Sequence, residues 1–231
     1  MKKKLALILA GTAMAAMVLA GCGEKNNASG EDVKTAESVE DKKTFTVGFD
    51  AEYPPYGYMD ENGEYTGFDL ELAEAVCKLE GWELVKKPLN WDSKDMELNS
   101  GSIDCIWNGF TMNGREDDYT FSTPYVDNSQ VIVVAEKSGI DTLEDLAGKT
   151  VGVQAASAAL DLLKSEEEGG QKKLADTFGA LNEFADYNTA FTELQAGALD
   201  ALAIDVGVAN YQIKSRGEGY KILDETLNTE Q

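Results

Sequence analysis

The sequence predicts a two-lobed α/β protein, and three observations carry that prediction. Short β-type runs alternate along the chain with segments of helical period, the order that builds largely parallel sheets flanked by helices. Two short stretches recur at nearly equal offsets: Thr46-Val47-Gly48-Phe49 returns as Thr150-Val151-Gly152-Val153, and Gly101-Ser102-Ile103-Asp104 as Gly197-Ala198-Leu199-Asp200. A plan stated twice gives two pseudo-equivalent halves. From Thr44 onward the chain is also long enough for two small cores.

In the first half, residues 44–49 read as a buried strand, and Asp69 is placed to cap a helix whose Leu72, Ala73, Val76, Cys77 and Leu79 recur at helical spacing. Residues 83–87 form a second strand, residues 92–99 a short helix stopped at Gly101, and residues 103–107 a third strand. The second half repeats the grammar. It has a strand at 150–153, a helix opening at Ser157, a helix at 189–196 stopped by Gly197, and a strand at 201–204. Expected bounds are 44–127 for lobe 1, 128–226 for lobe 2, and 227–231 for the start of a crossover back to lobe 1.

Ahead of the lobes, Lys2, Lys3 and Lys4 precede an apolar run over residues 5–20, which marks residues 1–21 as an export signal. The run is too short, and too rich in Ala and Gly, for a membrane span. Leu19-Ala20-Gly21-Cys22 resembles a bacterial lipobox, so Cys22 is expected to carry a lipid anchor. Residues 22–43 hold almost nothing to bury and are expected to be a solvated tether.

Composition excludes several functions. A formal net charge of -22 repels nucleic acid and anionic lipid surfaces. The chain has no His, which removes His-based triads and His-ligated metals; no metal or organic cofactor is called for. Cys77 and Cys105 are read as buried free thiols, with a disulfide between them the alternative in an exported chain.

The loops after strands carry the candidate chemistry, because ligands of open α/β sheets bind beyond the carboxyl ends of strands. Asp50 is followed by Tyr53-Pro54-Pro55-Tyr56, a stiff stretch that sets a carboxylate beside aromatic rings. With Tyr53 or Trp91 it suits a ligand ammonium, though a structural turn with core tyrosines explains the stretch equally well. Arg115 follows Asn108-Gly109-Phe110-Thr111, and its guanidinium can grip a carboxylate with two parallel hydrogen bonds, helped by Thr111. Gln154-Ala155-Ala156-Ser157 lies where free backbone amides attract an anion, and Asp205 ends a strand as a second acid for an amine. Acids for an amine and Arg with amides for a carboxylate match a zwitterionic α-amino acid.

With these residues in view, the chain resembles the family 3 extracellular solute-binding proteins, the polar amino-acid receptors of ABC importers. The resemblance rests on Val47-Gly48-Phe49-Asp50 with Tyr53-Pro54-Pro55-Tyr56, Thr66-Gly67-Phe68-Asp69-Leu70-Glu71-Leu72-Ala73, Asn108-Gly109-Phe110-Thr111 with Arg115, and Phe121-Ser122-Thr123-Pro124-Tyr125. It continues through Asp145-Leu146-Ala147-Gly148-Lys149 and Leu199-Asp200-Ala201 to Asp205. It implies a periplasmic-binding-protein-like (type II) fold with hinge strands, acting as a monomer at the outer face of the cytoplasmic membrane. Asp50 and Tyr53 match the family's first-strand binding residues, and Trp91 an aromatic over the ligand. Gly109, Thr111 and Arg115 match its carboxylate loop; Gln154, Ser157 and Ala158 match the second-lobe loop, and Asp205 the acid for the α-ammonium. The sequence ends at Asn228-Thr229-Glu230-Gln231, where family chains cross back, so the resemblance also implies a first lobe lacking its closing segment and exposing apolar surface.

Two other readings fit parts of the sequence. A dehydratase-like enzyme on the same fold would use Asp50, Glu52 or Asp205 for proton transfer and Arg115 to hold a small carboxylate substrate. A ligand-sensing domain of a receptor would use the same cleft.

Overall fold

The computed structural model describes residues 43–217 and 219–230; the expected signal (1–21), the lipidation site Cys22 and nearly all of the tether lie outside them. The first lobe opens with β1 (Thr44–Phe49), followed by a small antiparallel sheet of β2 (Glu52–Tyr53), β3 (Gly57–Met59) and β4 (Tyr65–Thr66). Then come α1 (Phe68–Glu80), β5 (Glu83–Pro88), a 3-10 turn at Trp91–Ser93, α2 (Lys94–Asn99) and β6 (Cys105–Ile106). The strands order as β5-β1-β6, all parallel. Leu70 and Ala73 of α1 pack on Val47 and Phe49 of β1.

Three expectations for this lobe change. Asp69 does not cap α1: the helix starts at Phe68, and its first amides donate to carbonyls of the proline loop, Phe68 N to Pro55 O at 2.9 Å and Asp69 N to Tyr56 O at 3.1 Å. Asp69 is instead buried inside the first turn. Leu79, expected on the apolar face, is 86% exposed, because the helix has turned it away from β1. The third strand shrinks from residues 103–107 to Cys105–Ile106, with Ile103 buried beside it.

The second lobe contains β7 (Asn128–Ala135), β8 (Thr150–Gln154), α3 (Ala158–Lys164), α4 (Lys172–Ala175), β9 (Ala180–Phe184) and α5 (Tyr187–Ala196). It ends with β10 (Ala201–Asp205), α6 (Val206–Arg216), β11 (Tyr220–Ile222) and β12 (Asn228–Glu230). The order is β11-β7-β10-β8-β9, with β12 also on β7. The β8, β9 and β10 pairings are parallel as expected, but β7 runs antiparallel to β10, β11 and β12, so this sheet is mixed. Both faces of β7 are covered, Val131 and Val133 facing one core cluster and Ile132 and Val134 the other, which is why it reads as a continuous apolar run.

The sequence echoes have a structural basis. In lobe 1, Thr46 N donates to the Asp104 carboxylate at 2.7 Å and Asp104 N to Thr46 O at 2.8 Å; in lobe 2, Thr150 N donates to Asp200 at 2.8 Å and Asp200 N to Thr150 O at 2.9 Å. Gly48 and Gly152 stand at equivalent points. A Cβ at Gly48 would lie 2.5 Å from Ile103 Cδ1, and one at Gly152 would lie 2.4 Å from Leu199 Cδ1. Each lobe thus needs a bare strand residue to seat the apolar side chain that follows its helix stop.

The lobes differ in cover. Among the described residues the exposed large apolar side chains, Met59, Phe68, Leu79, Val85, Met96 and Tyr125, all belong to the first lobe. Cys77 and Cys105 are both free, and burial pushes the Cys105 thiol up to about 12. No helix among the described residues is long and apolar enough to cross a membrane.

Gly67 closes the seam between the proline loop and α1. Its φ of 131° is open to glycine, and a Cβ there would meet Tyr56 O at 2.3 Å, a backbone atom that cannot step aside. Gly67→Ala is expected to cost at least about 2 kcal/mol in urea unfolding; a variant as stable as the native protein would contradict this packing.

Candidate functional site

The strands facing the cleft deliver polar residues at their carboxyl ends: Asp50 directly after β1, Gln154 as the last residue of β8, and Asp205 as the last of β10. All three are buried, so each needs partners. Asp50 Oδ1 accepts from Glu52 N at 2.8 Å and Oδ2 from Gln154 Nε2 at 2.7 Å. Asp205 Oδ1 accepts from Asn128 Nδ2 at 2.6 Å and Gln130 Nε2 at 2.7 Å, and its carboxylate also bonds the Tyr53 hydroxyl. Burial drives the Asp50 carboxyl up to about 6 against these donors, with the charges of Asp186 and Glu52 adding to the rise.

Arg115 approaches from the opposite side. Its Nη1 donates to Thr111 O at 3.3 Å, its Nη2 to Asp161 Oδ2 of α3 at 2.6 Å, and its guanidinium lies 4.8 Å from the centre of the Phe110 ring. Ser157 caps α3 as expected, its Oγ accepting from Leu160 N at 3.2 Å and donating to Gln154 O at 2.8 Å. Trp91 packs edge-on to Phe110, with ring centres 5.5 Å apart.

Nine of the sequence-derived candidates wall one narrow cavity of about 20 Å³: Tyr53, Trp91, Asn108, Gly109, Thr111, Arg115, Ser157, Ala158 and Asp205. Asp50 and Gln154 stand outside that wall, bonded to each other across the lobes. Asn108 links the groups, its Oδ1 accepting from Asp50 N at 3.0 Å. That cavity has space for about one water. Among the described residues no acidic or thiol cluster could hold a metal ion.

Several contributors escape the sequence reading. Asn128 and Gln130 lie on β7, which it did not single out; the signal was a polar pair opening an apolar run. Lys94 is buried with its Nζ 5.1 Å from the Trp91 ring centre, so a cation-π partner for Trp91 is already resident in the chain. Its three-residue spacing from Trp91 was the available clue. Asp161, and Asn188 of α5, which donates to Glu52 across the cleft, had no local signature. Tyr53 and Tyr56 stack at 5.5 Å and join the second lobe's core beside Tyr187 and Phe191, and a Cβ at Gly207 would lie 2.3 Å from the Tyr56 hydroxyl.

Two α/β lobes that close polar strand ends over a shared cavity define the bilobal binding-protein class. Residues 45–214 match the profile of the bacterial extracellular solute-binding proteins, family 3, and the chain belongs to that family. It is 33% identical over 228 residues to the arginine-binding extracellular protein ArtP of Bacillus subtilis, covering 97% of this chain and 82% of that protein. It is 29% identical to the L-cystine-binding protein TcyJ of Escherichia coli K12, covering 94% and 79%. A Streptococcus pneumoniae ABC uptake transporter substrate-binding protein solved with bound histidine superposes with a TM-score of 0.75 at 35% identity, covering 81% of this chain and 76% of that one. These relatives are described as binding proteins, and the family is extracytoplasmic.

Asp69 anchors the Gly109 loop from beneath: it is fully buried, accepts from the Tyr125 hydroxyl at 2.9 Å and is also supported by the Gly109 amide. Burial lifts its carboxyl from 3.8 to about 6, so the native protein keeps a proton that the unfolded chain releases. The associated stability is complete below 3.8 and is lost as pH rises through about 6. Asp69→Asn retains an acceptor without the charge. Its stability relative to the native protein should therefore improve by on the order of 2 kcal/mol between pH 4 and pH 7, measured by urea unfolding; a pH-independent difference would refute the buried charge.

Proposed function

We propose that this protein is an extracytoplasmic receptor that closes its lobes on a free amino acid with a polar side chain and delivers it to an ABC importer. The observation that carries the proposal is the opposition of charge in one cavity wall, with Arg115 and Thr111 contributed by lobe 1 and the Asp205 carboxylate by lobe 2. Arg115 takes the α-carboxylate with paired hydrogen bonds, assisted by Thr111 and the backbone at Gly109, Ser157 and Ala158. Asp205 takes the α-ammonium, with Tyr53 and Trp91 flanking it and Asn108 closing the wall. Asp50 and Gln154, bonded to each other beyond that wall, become available to the polar side chain when the lobes part. The names of the relatives support this: arginine, cystine and histidine share the α-ammonium and α-carboxylate and differ beyond them.

Because those two groups sit on different lobes, a ligand that satisfies both stabilises the closed form, and the importer reads that population shift. The task is capture without bond making, so neither catalyst nor cofactor is required. The protein acts as a monomer, held at the outer face of the cytoplasmic membrane by a lipid on Cys22.

Calorimetric titration with the twenty amino acids is expected to find tight binding of one or a few. Arg115→Ala should weaken it by about 100-fold or more, and Asp205→Asn by about tenfold or more. No binding by the folded protein would remove the amino-acid assignment, and turnover of a small carboxylate would favour an enzyme instead. Separately, Cys22→Ser should move the protein from the membrane fraction to the soluble one; unchanged partition would exclude the anchor.

A further inference from the structure

The seam between the lobes holds an ion pair in which one partner, Arg115, is a proposed ligand contact and the other, Asp161, is not. Arg115 of lobe 1 gives Nη2 to Oδ2 of Asp161, on α3 of lobe 2, at 2.6 Å. The pair is lopsided: the Arg115 side chain is 12% exposed and that of Asp161 62%, so Asp161 reaches the guanidinium from the solvent side of the rim. Asp161 is absent from the cavity wall. A guanidinium carries five N–H donors in a fixed fork, so one bond to a rim carboxylate leaves donors for the cavity.

A second cation faces the same place. Lys94, buried on lobe 1, points its Nζ at Ala156 O of lobe 2 at 3.4 Å, and Asp161 is near enough to act on its charge. Lobe 1 therefore presents two cations to the start of α3, where one acidic side chain of lobe 2 meets them. We propose that Asp161 is a rim clasp, a positioning residue that ties α3 to Arg115 when the lobes are together, orients the guanidinium for a ligand carboxylate and slows ligand escape without touching the ligand. The tie between α3 and Arg115 stands without the amino-acid reading above, and the other two effects rest on it.

The test has two arms on the full-length protein. Hydrogen exchange without added ligand follows residues 108–116 and 155–164 at the rim, with β10 as an internal control for global opening. Stopped-flow dissociation uses L-arginine, L-histidine and L-cystine as probes. Asp161→Ala and Asp161→Asn should speed rim exchange and probe dissociation by about fivefold, the size expected of a partly exposed pair, and leave β10 unchanged. Asp161→Glu should restore both rates, Asp161→Lys should exceed the neutral variants, and added salt should narrow the gap between native and Asp161→Asn. Neutral variants that leave rim exchange within about twofold of native would overturn the clasp. So would acceleration of β10 exchange by all variants alike, which would assign Asp161 to the fold alone. If rim exchange still responds while none of the twenty amino acids binds the native protein, the clasp stands and the amino-acid reading falls.

Discussion

Asp50, just after β1, and Asp205, the last residue of β10, are carried into the interior by those strands, and each buried charge there needs donors. A carboxylate in a poorly solvated site costs several kcal/mol unless hydrogen bonds replace the lost water. For Asp205 the replacement comes from Asn128 and Gln130, which fixes the register of β7 against β10. For Asp50 it comes partly from Gln154, on the other lobe. One hydrogen bond of 2.7 Å thus satisfies a buried acid and joins β1 to β8 at once. These amide donors leave the charge in place and replace the water it has lost, in a chain whose formal net charge is -22.

Much of this was legible in the sequence where a local rule acts alone. Ser157 announced its cap, and Gly101 and Gly197 their helix stops, because left-handed backbone admits few other residues. The echoed stretches were informative because Asp104 and Asp200 make the same bridge to Thr46 and Thr150. At α1 the local rule fails because the tertiary structure supplies something usually supplied locally. Asp69 has the chemistry of a cap, but the proline loop already gives α1 its acceptors, so the side chain goes inward. The antiparallel β7 was missed because an apolar run buried on both faces has no alternation to reveal it.

The site divides the same way. Residues at strand ends and helix starts could be picked out from position, and nine of them meet around one cavity. Asp161 and Asn188 could not, and Lys94 only by its spacing from Trp91, because all three pair with the opposite lobe, at sequence separations of 46, 136 and 62 residues. Trp91 stands in the cavity wall as an aromatic for a ligand, and a lysine three residues on also lies over its ring.

The proline loop belongs by chain to the first lobe and by packing to the second. Tyr53 and Tyr56 are counted among the core of lobe 2, stacked on each other and set beside Tyr187. Parting the lobes therefore resembles a small unfolding event, since water must reach aromatic faces and the socket they leave. Hydration of apolar surface raises heat capacity, so closing should lower it by more than the burial of one small zwitterion accounts for. The enthalpy of capture would then change steeply with temperature, and cooling would weaken the apolar part of the grip while leaving the charged contacts in place.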